Sequence, residues 1–107
     1  MKTLKFAKNL VPLVLSGKKT TTWRVFDDKN LSVGDEIIFL KHGSNEQFAV
    51  GKIISIREKK MSEIDESDFD GHEKYESPGR MIEVYKGYYG DKVNADNLVK
   101  IIKFKLI

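Results

Sequence analysis

The sequence has no cysteine, only two prolines and two histidines, and no apolar run long enough to cross a bilayer as a helix. Without cysteine there are no disulfides, no thiol nucleophile and no thiolate metal site, a composition that fits a reducing compartment. His42 and His72 stand far apart, with no second histidine at zinc spacing, and are expected on the surface. The longest apolar run, "LVPLVL", follows a basic start as a secretion signal would. It is short and interrupted by Pro12, so it is expected to form a buried helical turn in a cytoplasmic protein with no membrane partner. Also missing are a phosphate-binding Gly-Lys loop, a dinucleotide fingerprint and a Gly-x-Ser-x-Gly elbow, so no cofactor is expected.

What is present is one domain's length, 107 residues, with 40% hydrophobic and 33% charged residues, enough for a modest core. A single domain over residues 1–107 is expected. The net charge of +3 does not by itself identify a nucleic-acid partner. Its distribution is uneven: Lys2, Lys5, Lys8, Lys18, Lys19 and Arg24 precede any acidic residue, whereas Glu63, Asp65, Glu66, Asp68, Asp70, Glu73 and Glu76 face a single lysine, Lys74. These two parts are expected to form opposite walls of one cleft. The alternating carboxylates have a superficial likeness to a calcium loop, but the spacing and closing glutamate are missing, so no metal is expected.

Along the chain, "LKFA" reads as a first strand, and "NLVPLVLSG" as a short helix with Pro12 in its first turn and Gly17 as its left-handed stop. Residues 20–25, rich in threonine with Trp23 and Val25, read as a strand. "VGD" is a turn into the strand "EIIFL", and "HGSNEQ" connects it to the long strand "FAVGKIISIRE", in which Gly51 suggests a bulge. Ser77 and Pro78 then begin a helix that buries Met81, Val84, Tyr85 and Tyr88 and ends at Gly90. The closing strand "LVKIIKFKLI" alternates Ile102, Phe104 and Leu106 with lysines. The fold class expected is α+β: a small β-barrel of about five to six strands, a short N-terminal helix, and a helical insertion before the last strand.

The stretch "SGKKTTTWR" holds the most chemistry. As a strand it sends Thr20, Thr22 and Arg24 to one face and Thr21, Trp23 and Val25 to the other. The first face is either a solvated polar surface or a convergent site over which Lys19 swings. In the second case Trp23 points away from the site. Lys8, Lys41 and Lys103 could meet phosphates, and Trp23, Phe26, Tyr75, Tyr88 and Tyr89 could stack on bases.

With "LSVGDEIIF" and the segment "HEKYESPGRMIEVYKGYYG", this stretch resembles the ASCH domain family, small PUA-like barrels. The most specific part is Gly-x-Lys-x-x-Thr-x-Arg, met by Gly17, Lys19, Thr22 and Arg24. The resemblance implies binding of RNA or a nucleoside in a cleft, and the protein is expected to be a monomer. One bacterial branch hydrolyses the acetyl amide of N4-acetylcytidine with a lysine, a threonine and a glutamate, which implies Lys19, Thr22 and Glu73 as catalytic residues here. Gly17, Lys18, Arg24 and Glu76 are then the substrate-binding candidates, Glu76 being also the next choice of carboxylate. The alternative implied is a non-catalytic RNA-binding module of PUA type.

Overall fold

The computed structural model describes residues 2–27, 29–72 and 74–107. Five strands form one mixed sheet: β1 Lys2–Phe6, β2 Thr21–Val25, β3 Glu36–Lys41, β4 Gln47–Lys60 and β5 Leu98–Leu106, in the order β1-β3-β4-β5-β2. β1 runs parallel to β3 and every other pairing is antiparallel. Between β1 and β2 lie a 3₁₀ turn, Lys8–Leu10, and helix α1, Val11–Leu15, with Pro12 in its first turn. Helix α2, Pro78–Tyr89, precedes β5. This agrees with the expected small α+β barrel of five to six strands with a short N-terminal helix and a helical insertion, the five strands forming a curled half-barrel.

The sheet curls until its two edge strands meet. Arg24 of β2 donates from Nη2 to the Lys5 carbonyl of β1 at 3.0 Å, and its guanidinium lies 5.1 Å from the centre of the Phe6 ring. A side chain thus spans the seam that strand pairing would close in a complete barrel. Inside the curl, Leu4, Phe6, Val14, Ile37, Phe39, Ile53, Ile102 and Phe104 form one core. On the outer face, Trp23, Val25, Met61, Met81, Tyr85, Val93, Val99 and Ile101 form a second.

The second core is why β5 departs from simple alternation. Val99 and Ile101 are buried under α2 on one face, Ile102 and Phe104 inside the curl on the other, and Leu106 is exposed at the strand's end. In α2, Ser77 caps by accepting from the Arg80 amide at 3.1 Å, and Gly90 ends the helix at φ 92°. Its inward stripe is Met81, Tyr85 and Tyr89; Tyr88, expected in that stripe, is 57% exposed.

Gly51 serves close packing, not the bulge expected there. A Cβ at this position would lie 2.4 Å from Cζ of the buried Phe39 ring, while the register shifts of β4 fall between Ile53 and Ser55 against β5 and between Gln47 and Ala49 against β3. Gly51→Ala should therefore destabilise the protein by about 1–3 kcal/mol, read as a lower urea midpoint with unchanged slope.

The acidic segment is pinned to β4. Asp68, 1% exposed, lies 2.8 Å from Lys59 Nζ and 2.9 Å from Arg57 Nη1, and its Oδ2 accepts from the Asp65 amide at 2.9 Å. Lys59 also reaches Asp65, and Lys74 pairs with Glu66. These carboxylates answer cations of their own neighbourhood, so among the described residues they do not form the acidic cleft wall expected from the charge distribution.

Candidate functional site

Lys19 owes its position to the end of α1. Gly17, at φ 82°, turns the chain, and the Lys19 amide donates to the Leu13 carbonyl at 3.0 Å. The side chain is directed inward, 3% exposed, where Nζ donates to the Thr21 carbonyl at 2.8 Å. A lysine this deeply buried in a small domain is unusual and requires polar company.

Strand β2 supplies the next residues. The Thr21 hydroxyl donates to the Asp70 carbonyl at 3.1 Å, and the Thr20 and Thr21 amides both donate to the Gly71 carbonyl. This anchors the acidic segment along the outer edge of β2. Thr22, 4% exposed, points to the opposite face, and its hydroxyl makes no hydrogen bond with another described residue.

Lys19, Thr22 and Arg24 line one cavity of about 300 Å³, together with Lys5, Phe6, His42, His72, Tyr85 and Tyr88 at the seam between β1 and β2. That volume is at the lower end for small-molecule sites. Trp23 also contributes to the wall. Its side chain lies in the outer core, as the alternation requires, but β2 is an edge strand and the cavity extends along that edge.

His72 corrects the expectation of a surface residue. It is buried because its ring stacks on Trp23 at 3.9 Å between centroids, with Tyr85 also near-parallel to the indole at 6.2 Å. His42 is exposed and also lines the cavity. Of the other candidates, Gly17, Lys18 and Glu76 are exposed and outside the lining, and Glu73 lies outside the described residues. Lys5 belongs to the basic stretch expected to wall a cleft, whereas Phe6, His72 and Tyr85 are cavity residues that sequence reasoning missed. Only Tyr85 carried a signal, and its helical spacing equally described a core position.

Among the described residues no group of three or more histidines or acids is placed to hold a metal, and no helix is long and apolar enough to cross a membrane.

The whole arrangement has counterparts among solved structures. The ASCH domain from Lactobacillus crispatus JV V101 superimposes with a TM-score of 0.71 at 14% identity, over 92% of this chain and 70% of that one. Protein EF3133 from Enterococcus faecalis V583 gives 0.71 at 23% identity with the same coverage. The ASCH protein from Zymomonas mobilis gives 0.68 at 10% identity, over 96% of this chain and 65% of that one. No curated protein matches the sequence. The fold is therefore that of ASCH domains, and because residues 26–84, more than half of the chain, match its profile, the protein belongs to the family described as Domain of unknown function (DUF7205).

Proposed function

We propose that residues 1–107 form a single, monomeric ASCH-type domain whose cavity binds a modified nucleoside or the corresponding RNA base and hydrolyses the acetyl amide of N4-acetylcytidine. The observation that carries this reading is the meeting of Lys19 and Thr22, two buried polar side chains, on one recess walled by aromatic rings. Amide hydrolysis needs a nucleophile, a base and a group to hold the developing oxyanion. The Thr22 hydroxyl attacks the acetyl carbon, and its proton passes to Lys19. The departing N4 amine takes a proton, releasing cytidine, and water then cleaves the acetyl ester to give acetate and restore Thr22. Glu73 is assigned the proton relay on the strength of its motif position; its chain neighbour His72 lines the cavity. A lysine acts as a base only after losing its proton, ordinarily held up to about pH 10.4. Burial favours that loss and an ionised glutamate opposes it, so the pair must share a proton. Arg24, held to the Lys5 carbonyl, is already oriented to receive a carbonyl or phosphate at the seam.

The test is incubation of purified protein with N4-acetylcytidine, N4-acetylcytosine and a short acetylated RNA, following acetate by NMR. Acetate release from any of the three supports the reading, and three untouched substrates reject it. The second reading, an RNA-binding module, draws on exposed Lys5 and Tyr88 at the cavity. It expects RNA binding without hydrolysis, with a salt slope of roughly two to four phosphate contacts.

A further inference from the structure

Four hydrogen bonds fix the phase of β2. Phe104 donates its amide to the Thr20 carbonyl, which turns the main-chain groups of even-numbered β2 residues toward β5. The odd-numbered residues therefore direct theirs off the sheet. Thr21 shows this, its amide going to Gly71 and its carbonyl to Lys19 Nζ, and so does Val25, whose amide lies 3.5 Å from the Tyr89 hydroxyl. Trp23, between them, sends its N–H and C=O the same way, yet neither group has a partner beyond the sheet among the described residues. Its indole Nε1 is likewise buried with no partner among the described residues. The residue is 2% exposed, and the cavity that runs along this edge is lined by Lys19, Thr22, Trp23, Arg24 and Tyr89. A buried main-chain donor and acceptor are almost always paired in a folded protein, so the pair at Trp23 is completed by what enters the cavity.

We propose that the main-chain N–H and C=O of Trp23 read the ligand, selecting a base that carries a ring acceptor beside an exocyclic N–H donor. Such a pair docks on a strand residue as a partner strand does, the donor meeting the acceptor and the acceptor the donor. The cytosine edge has this form, with ring N3 to accept from the Trp23 amide and the N4 hydrogen to donate to its carbonyl. N4-acetylation leaves one hydrogen on N4, so the acetylated base retains both groups. The bonds on either side, from Lys19 to the Thr21 carbonyl and from the Val25 amide to Tyr89, close off the adjacent main-chain positions and leave one residue's width of edge. This inference rests on the nucleoside reading above and names the base edge it recognises.

The test uses ¹⁵N-labelled protein titrated with cytidine, N4-acetylcytidine, 3-deazacytidine and 3-methylcytidine. The Trp23 amide should shift downfield and exchange with solvent more slowly as cytidine or N4-acetylcytidine saturates. The 3-deaza and 3-methyl compounds, which lack the ring acceptor or block it, should bind about tenfold or more weakly because the amide is left buried and unpaired. Trp23→Phe keeps the main-chain pair and should keep that preference. If the Thr22 and Lys19 signals respond to cytidine while the Trp23 amide does not, or if the 3-deaza compound binds equally well, the proposal falls and nucleoside binding stands. A preference lost in a folded Trp23→Phe would move the contact to the indole and overturn it too. No perturbation by any of the four compounds would remove the nucleoside reading and this inference together.

Discussion

Thr22→Ala and Lys19→Ala should each reduce acetate release from N4-acetylcytidine by about 10²–10⁴-fold, the range for loss of a positioned acid–base or nucleophilic group. The double variant should be little worse than either single one, since groups acting as a unit fail together. The structural consequences differ. Thr22→Ala removes a hydroxyl that no described residue engages, so its unfolding midpoint should stay close to that of the parent. Lys19→Ala strips the Thr21 carbonyl of its Nζ donor and should cost about 1 kcal/mol of stability in addition to activity. Glu73→Gln should be nearly as damaging to turnover, whereas Glu76→Gln should be mild. Glu66→Gln, which breaks only an exposed pair with Lys74, is the control. A Thr22→Ala protein that deacetylates at the parental rate would eliminate threonine as nucleophile. If Lys19→Ala also kept its rate, the catalytic assignment of this cavity would be lost.

Asp68→Ala should lower stability by about 3–5 kcal/mol, the cost of breaking a buried ion pair. The lower end is expected, because Lys59 and Arg57 are themselves partly exposed and can turn to water once the carboxylate is gone. The substitution also removes the acceptor for the Asp65 amide, and so loosens the segment that carries Gly71 and His72 to the edge of β2. The pH dependence of unfolding separates this electrostatic role from mere loss of packing. Burial by itself raises the Asp68 carboxyl, but the hydrogen bonds from Lys59 and the Asp65 amide outweigh it and hold the group below the ordinary 3.8. Asp65 is lowered to about 2, chiefly by the Ser67 hydroxyl and then by Lys59. Asp27 follows the same pattern, burial opposing and Lys100 prevailing.

A carboxyl depressed in the folded state binds fewer protons there than in the unfolded chain. Its stabilisation is present above pH 3.8 and is lost as pH falls through the lowered folded-state value, which for Asp65 is about 2. At the other end, Lys59 is raised above 10.5, chiefly by its hydrogen bond to Asp68, so its share persists below pH 10.5 and is lost as pH rises through its folded-state value. Urea unfolding should show parental stability falling steeply below pH 4, with a shallower acid limb in Asp68→Ala. Parallel acid limbs in the two proteins would mean that Asp68 contributes by packing alone.

The strands and helices of this protein were written in local signals. Alternation marked β2, β3 and the end of β5, while Pro12, Gly17, Ser77 and Gly90 marked the helix ends by caps and backbone geometry that act within a few residues. The spacing of Lys19, Thr22 and Arg24 was legible for the same reason, since two of them share a strand face and the third follows a glycine turn. Which side of each element met the core was not local. Tyr88 carries the same periodic signal as Tyr85, and only the direction of α2 over the sheet exposes one and buries the other. Val99 and Ile101 look solvent-facing in a half-buried strand until helix α2, which ends well before β5 begins, covers them. His72 had no signal at all, because its burial depends on stacking against an indole 49 residues away in sequence. The acidic segment misled by net charge: long-range pairing with Arg57 and Lys59 decides where its carboxylates go, and a sum over residues carries no directions. The main-chain pair of Trp23, which has no partner beyond the sheet among the described residues, is likewise invisible in sequence, since every residue has an N–H and a C=O. Only the strand order, which leaves β2 at an edge, and the hydrogen bonds that fix its phase decide which pair faces the cavity.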